Sequence, residues 1–321
     1  MLHATESMRS GARCEPCALA TVCVPWDEHG EFLESPFRRQ IRLLRAAGIE
    51  NLYVFGTAGE GHAVTVPLYR RIASVFMDET GELGGIRQLG VIAMSAAQAR
   101  ERIELGLAFG FSDFQVSLPP WATVNDRELS VYFRDVLGPY PEARFLHYNI
   151  ARSGRVLTGS DYVPLIAEHP NLVATKSGGH RVASLLALYR DAPELCHFMT
   201  ELDYLSASLL GIPCGLLVSV SAVFPARIRE VFAAGRDGDI ASMRRLVREM
   251  GVVQNAILGT VGKTGAHIDG AYDKVFAWLS DPAFPLALQS PYQDAGLDAA
   301  RRFRETLETV LPDWVGPTHD V

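Results

Sequence analysis

The chain has 321 residues and a formal net charge of −7, which argues against a nucleic-acid or anionic-membrane partner because either would need a clustered basic surface. Its 48% hydrophobic and 21% charged residues are typical of a globular protein that can bury a sizeable core. No stretch approaches the ~20 apolar residues of a membrane-spanning helix, and the start of the chain lacks the apolar segment of a signal peptide. We therefore expect a cytoplasmic protein.

Residues 1–17 are predicted to be an N-terminal leader. They contain Cys14 and Cys17, two of five cysteines, in a single CxxC pattern. An odd number of cysteines in a long chain does not resemble a disulfide framework. Neither a second CxxC nor a histidine pair at metal-ligand spacing lies nearby, so two free thiols are favoured over a zinc site. We expect no metal and no cofactor.

From residue 18 onward, short apolar runs alternate with amphipathic stretches, which is typical of strands that alternate with helices. The spacing predicts eight strands, at 19–25, 51–56, 88–93, 113–118, 144–149, 172–177, 195–200 and 214–221. Amphipathic segments between them, such as 35–48, 65–79, 95–110 and 160–169, predict helices. Eight such units predict an α/β fold, a (β/α)8 TIM barrel over 18–235. An open doubly wound sheet is the alternative, but no GxGxxG follows the first strand.

Helical patterns continue beyond the eighth strand for longer than a barrel needs. They lie at 225–239, 240–258, 270–279 and 298–311, and a proline-marked loop covers 279–293. We predict a C-terminal helical appendage over 236–321.

One lysine stands at the end of a predicted buried strand. Only three of the 30 basic residues are lysines, namely Lys176, Lys263 and Lys274. The chain therefore uses arginine for ordinary positive charge, and Lys176, at the end of "LVATKS" (172–177), favours a role in amine chemistry. The simpler alternative is a surface lysine just past a strand.

Strand ends at the carboxyl face of a TIM barrel line the active site. Three such ends supply the glycine-rich turn "GTAGEG" (56–61), the phenol of Tyr148 and the amine of Lys176. Backbone N–H groups of such a turn can hold a carboxylate, and Thr57 adds a hydroxyl. An amine can attack a ketone to form an imine, and a phenol can move the protons. The set predicts a site for a 2-oxo acid.

Five motifs resemble the dihydrodipicolinate synthase/N-acetylneuraminate lyase family of class I aldolases. They are "VPWDEHGEF" (24–32), "FGTAGEGHAVT" (55–65), "YNIARSG" (148–154), "ATKSGG" (174–179) and "FAAGRDGD" (232–239), and the resemblance covers roughly residues 18 to 310. It implies that Lys176 is the Schiff-base lysine, Tyr148 the proton-transfer tyrosine and Thr57 its hydroxyl partner. It also implies a homotetramer or dimer.

The same resemblance implies the substrate-binding set. The turn Gly56, Thr57, Ala58 and Gly59 would hold the substrate carboxylate, and Asp203 and Ser219 would face the variable part of the substrate. Whether Arg152 contacts a second carboxylate stays open, because "YNIARSG" lacks the usual proline and is one residue shorter than the synthase pattern.

Two departures from the family pattern bear on the substrate. Ala58 replaces the second hydroxyl residue of the GTTGE motif, which spares the backbone cradle. Trp121 replaces the tyrosine that a neighbouring subunit contributes to the proton relay of synthases and sialic acid lyases. A tryptophan at this position resembles the pattern of hydratase-aldolases that act on aryl-substituted pyruvates.

We therefore predict a lyase that forms a lysine imine with pyruvate or another 2-oxo acid. It would catalyse aldol cleavage, condensation or dehydration of a 2-keto-3-deoxy acid or an aryl-substituted pyruvate. Alternatives are a dihydrodipicolinate synthase or N-acetylneuraminate lyase proper, and a non-catalytic barrel that binds 2-oxo acids. A barrel for phosphorylated substrates is disfavoured, since the predicted turns after the last two strands lack glycines.

Overall fold

The structure is a computed structural model that describes residues 12–82, 84–218 and 225–315. Its parallel strands follow one another in chain order around a closed barrel, with helices alternating along the chain, so the predicted (β/α)8 TIM barrel is confirmed. The strands are β1 (Ala18–Val22), β2 (Leu52–Val54), β3 (Arg87–Gly90), β4 (Asp113–Val116), β5 (Arg144–Tyr148), β6 (Leu172–Ser177), β7 (Cys196–Met199) and β8 (Gly215–Val218).

The helices follow the predicted alternation and continue past the last strand. Those between the strands are α1 (Glu34–Ala46), α2 (Val66–Thr80), α3 (Ala96–Ala108), α4 (Asp126–Leu137), α5 (Gly159–Glu168), α6 (Val182–Asp191) and α7 (Glu201–Leu209). Later helices are α8 (Pro225–Asp237), α9 (Ile240–Thr260), α10 (Asp269–Ser280) and α11 (Leu297–Val310). The predicted C-terminal helices are thus present. No helix of the described residues is both long enough and apolar enough to cross a membrane.

The chain divides into two compact units, and the first contains Gln88–Leu217 together with the segment before β1. Here β4 to β8 pair in parallel, and Tyr148 on β5 is the register partner of Lys176 on β6. The guanidinium of Arg13 donates to the carbonyl oxygens of Ile166, His169 and Leu172 at 2.7, 2.9 and 3.0 Å, which attaches residues 12–17 to the start of β6.

The second unit contains Ala18–Arg87 and the described part of Val218–Val321. Strands β1 and β2 pair from Ala20↔Leu52 to Val22↔Val54. Apolar faces of the helices supply much of the packing: the rings of Phe276 on α10 and Phe303 on α11 meet edge to face, 5.8 Å apart.

Several element boundaries differ by one to three residues from those predicted, and β2 and α5 show the local cause. Strand β2 ends at Val54 instead of Gly56, because Phe55 adopts a φ of 66°, a left-handed conformation that a strand cannot contain. Helix α5 begins at Gly159, one residue before the predicted start. Asp161 Oδ2 accepts from both the backbone N–H and the hydroxyl of Thr158, at 2.7 Å each, which places the cap at Thr158.

Candidate active site

Lys176 and Tyr148 contact each other in the first unit. Direct register partners on parallel strands point to the same face of the sheet, so both side chains leave β5 and β6 on one side. Lys176 Nζ lies 3.4 Å from Tyr148 Oη and 4.6 Å from the centroid of the ring. Tyr148 is buried and Lys176 half-buried. The amine and the phenol thus lie within hydrogen-bond contact, which is the arrangement that proton transfer between them would need.

The glycine-rich turn follows β2 in the second unit. Phe55, which directly precedes the turn, and Glu60 within it are both left-handed, with φ of 66° and 51°. Gly61 donates its backbone N–H to the carbonyl of Gly56 at 3.1 Å, which closes the turn. A Cβ at Gly56 would lie 2.0 Å from Tyr53 Oη, and one at Gly61 would lie 2.3 Å from the carbonyl oxygen of Phe55. Only glycine therefore fits at these two positions.

The predicted substrate-binding residues of the turn lie together. Gly56, Ala58 and Gly59 are buried, whereas Thr57 is half-exposed at the tip. The carbonyl oxygen of Thr57 accepts the backbone N–H of Glu60 at 3.3 Å. The turn is thus held by main-chain hydrogen bonds, which do not require a side-chain hydroxyl at Ala58.

Asp203 holds the loop that follows Lys176. Its Oδ2 accepts the backbone N–H of Gly179 at 2.7 Å and the hydroxyl of Thr200 at 2.9 Å. Gly179 has a φ of 72°, which suits glycine at a sharp change of direction. Asp203 sits in the first turn of α7, where a carboxylate also interacts favourably with the helix dipole. This loop role did not follow from the sequence, in which Asp203 and Gly179 are far apart.

Trp121 lies on the loop between β4 and α4 and is 86% exposed. The loop is attached to the segment after β5 by Arg155, which donates to the carbonyl of Val124 at 3.3 Å and forms ion pairs with Asp126 at 2.8 Å and Asp161 at 2.7 Å. Although burial raises the pKa of Asp161, hydrogen bonds from Thr158 and the Arg155 guanidinium lower it overall. Sequence reasoning missed Arg155.

The structure shows where Arg152 and the two cysteines of the predicted leader lie, but it does not describe Ser219. Arg152 is exposed on a short 3-10 helix, Ala151–Ser153. Ser219 lies outside the described residues, as do residues 1–11 of the predicted leader. Cys14 and Cys17 form no disulfide. Over residues 12–82, 84–218 and 225–315, no group of three or more His, Cys, Asp or Glu side chains could hold a metal ion.

Comparison with known proteins identifies the family. The model of the Dihydrodipicolinate synthetase family matches residues 17–267. The chain belongs to this family. Membership makes it a class I aldolase-type lyase, in a family whose enzymes bind small 2-oxo acids.

The relatives are distant in sequence but similar in fold. An N-acetylneuraminate lyase of Salmonella typhimurium is 21% identical over 248 residues, which cover 77% of this chain and 82% of that protein. Among solved structures, YagE of E. coli K12, a prophage protein of the dihydrodipicolinic acid synthase family in complex with pyruvate, aligns with a TM-score of 0.80 at 17% identity, covering 92% of this chain and 98% of that one. The N-acetylneuraminate lyase of Fusobacterium nucleatum aligns with a TM-score of 0.79 at 16% identity, covering 93% and 99%.

Proposed function

We propose that Lys176 forms an imine with pyruvate or another 2-oxo acid and that the enzyme uses this imine for aldol cleavage, condensation or dehydration. The observation that supports this most is the contact between the Lys176 amine and the Tyr148 phenol, 3.4 Å apart on adjacent strands. A purely binding barrel would not require a primary amine beside a proton donor.

Each step has a residue of the chain to perform it. The Lys176 nitrogen attacks the ketone carbon and passes one of its protons to the former carbonyl oxygen, which leaves as water after a second protonation. Tyr148 supplies that proton and later moves protons to or from the group that leaves or attacks. The resulting iminium withdraws electrons from the adjacent carbon, so a carbon–carbon or carbon–oxygen bond at the next carbon can break.

The turn after β2 has the features of a carboxylate site. Backbone N–H groups at Thr57 and Ala58 and the hydroxyl of Thr57 would hold the substrate carboxylate. Gly56 and Gly59 would allow the main chain to approach the carboxylate closely.

The substrate class that we propose is a 2-oxo acid with an apolar or aryl substituent. Trp121 offers a broad apolar face in place of a phenol. A carboxylate such as that of Asp203 would suit substrate hydroxyls, but its Oδ2 already accepts hydrogen bonds from Gly179 and Thr200. A 2-keto-3-deoxy sugar acid remains the second candidate, since a distant relative is named an N-acetylneuraminate lyase.

Borohydride trapping tests the imine directly. Incubation with pyruvate and sodium borohydride should attach one reduced pyruvyl group to Lys176, and Lys176→Arg should abolish it. Only two other lysines compete, the exposed Lys263 and the buried Lys274, so peptide mapping is unambiguous. Labelling at Lys263, or no labelling with pyruvate, phenylpyruvate and 2-keto-3-deoxygluconate, would contradict the proposal.

We also propose that the chain forms a homotetramer or dimer. The proposal rests on the family resemblance, and the exposed Trp121 on the loop between β4 and α4 would be one residue for a second chain to contact. Size-exclusion chromatography with light scattering measures the mass in solution, and a monomer at micromolar concentration would contradict this.

A further inference from the structure

A buried ion pair supports the glycine-rich turn from behind. The Nζ atom of Lys274 on α10 lies 2.5 Å from Glu60 Oε1, and both side chains are fully buried. Trp26 Nε1 donates to the same oxygen at 2.8 Å, and the backbone N–H of Gln289 donates to Oε2 at 2.7 Å. Both oxygens of this carboxylate therefore have donors.

The lysine is satisfied by more than its ion pair. Its Nζ also donates to the carbonyl oxygen of Ala287 at 2.5 Å and lies 5.7 Å from the centroid of the Trp26 ring. Burial lowers the pKa of Lys274, and the charge and hydrogen bond of Glu60 oppose that shift. Two charges removed from water are tolerated only with such complete hydrogen bonding, so loss of one partner leaves the other stranded.

The pair acts on a turn that needs support. Glu60 is a non-glycine residue at φ 51°, a conformation that is unfavourable unless its surroundings impose it. Its backbone N–H donates to the carbonyl of Thr57, so the placement of Glu60 bears directly on Thr57. Gly270, one helical turn before Lys274, also faces the turn: a Cβ there would lie 3.5 Å from Glu60 Cγ and 3.7 Å from the carbonyl oxygen of Ala58.

The contacts join segments that are remote along the chain. Glu60 and Lys274 are 214 positions apart. The side chain of Gln289 donates to the carbonyl of Gly30 at 2.7 Å, which adds the loop after β1 to the same network. One carboxylate thus connects the glycine-rich turn, Trp26 and the chain on both sides of residue 280.

We infer that Glu60 and Lys274 form a clamp that positions the turn 56–61 for the substrate carboxylate, which makes Lys274 a positioning residue supplied by the C-terminal helices. The inference rests on the proposed function, in which this turn binds the carboxylate. It gives the C-terminal helical region a part in substrate recognition, and it explains why a chain with so few lysines keeps one in a fully buried position.

The test compares two ligands that differ in their charge. Pyruvate and its methyl ester both carry the ketone that would react with Lys176, but only pyruvate carries the carboxylate. The concentration of each that gives half-maximal borohydride trapping is measured for the wild type and for Lys274→Met. The matched control is Lys263→Met, which removes an exposed lysine.

Loss of the clamp should weaken the binding of pyruvate but not that of methyl pyruvate. Lys274→Met should raise the half-saturating pyruvate concentration about tenfold or more, since hydrogen bonds to charged groups are lost at the support of the turn. The value for methyl pyruvate and the maximal trapping at Lys176 should stay within about threefold, and the control should match the wild type.

A milder variant keeps the test decisive if Lys274→Met does not fold. Trp26→Phe keeps an aromatic ring but removes the N–H that donates to Glu60 Oε1, and it should shift pyruvate in the same selective way by a smaller factor. For the double variant Glu60→Gln/Lys274→Met, the increase in the half-saturating pyruvate concentration should not exceed the combined increases of the two single variants, because no unpaired charge remains.

The outcomes separate this inference from the proposed function. If the wild type is not trapped by pyruvate, the proposed function fails. The clamp is refuted if the wild type is trapped and the variants have the same half-saturating concentrations as the wild type. It is also refuted if the values for pyruvate and methyl pyruvate rise equally, because Glu60 and Lys274 then stabilise the fold only.

Discussion

Two buried histidines should make the protein sensitive to mild acid. His147 on β5 and His197 on β7 are both 1% exposed. His147 Nδ1 lies 2.7 Å from Tyr162 Oη, and burial lowers its pKa to about 3. His197 lies between the Thr175 hydroxyl, 2.8 Å from its Nδ1, and the Ala192 carbonyl, 2.9 Å from its Nε2; burial lowers its pKa to about 4.

These pKa values determine how the free energy of unfolding changes with pH. Each native pKa lies below the unfolded value of about 6.5, so the unfolded state binds more protons once the pH falls below 6.5, and the native state loses stability. Between pH 7 and pH 5, each histidine should reduce the free energy of unfolding by about 2 kcal/mol. The loss should level off only below about pH 4 for His197 and about pH 3 for His147.

Urea unfolding at pH 7, 6 and 5 measures this loss for the wild type and for His147→Asn. Asparagine keeps a polar atom near Tyr162 but does not titrate. The variant should be less stable at pH 7, yet its stability should fall by about 2 kcal/mol less between pH 7 and pH 5. His29→Asn removes an exposed histidine and should keep the wild-type slope. A His147→Asn variant with the full wild-type slope would refute the reasoning, because His147 would then titrate in the native state as it does in the unfolded chain.

Two further predictions concern the candidate active site. Tyr148→Phe should leave the melting temperature nearly unchanged and lower turnover about a hundredfold, the scale of general acid–base assistance; a fully active variant would reduce Tyr148 to a packing residue. Trp121→Ala should lower kcat/KM for an aryl-substituted pyruvate but not for a 2-keto-3-deoxy acid, since only the aryl group uses the indole face. An equal loss for both substrates, or wild-type turnover of the sugar acid alone, would argue against a platform role.

The sequence by itself was sufficient for the order and type of the elements. Parallel strands buried on both faces appear as short apolar runs, a local property, and the observed β6, Leu172–Ser177, has the predicted bounds. The family motifs likewise lie within single segments of the chain. Lys176, Tyr148 and the turn after β2 could therefore be recognised as candidates from the sequence alone. Where a local conformation was unusual, as at Phe55, apolar character alone predicted two residues of strand too many.

Tertiary structure alone decided which side chains meet. The pairing of Tyr148 with Lys176 depends on the register of β5 and β6, which contains an irregularity between Phe145 and Leu146 that no local pattern reveals. The contact of Asp203 with Gly179 joins the first turn of α7 to the loop after β6. The Glu60–Lys274 pair spans 214 positions, and nothing in the sequence around either residue links it to the other. Burial of both charges is what makes each partner necessary to the other, and burial is a property of the folded chain, because only folding brings a helix near the C-terminus against a turn near the N-terminus.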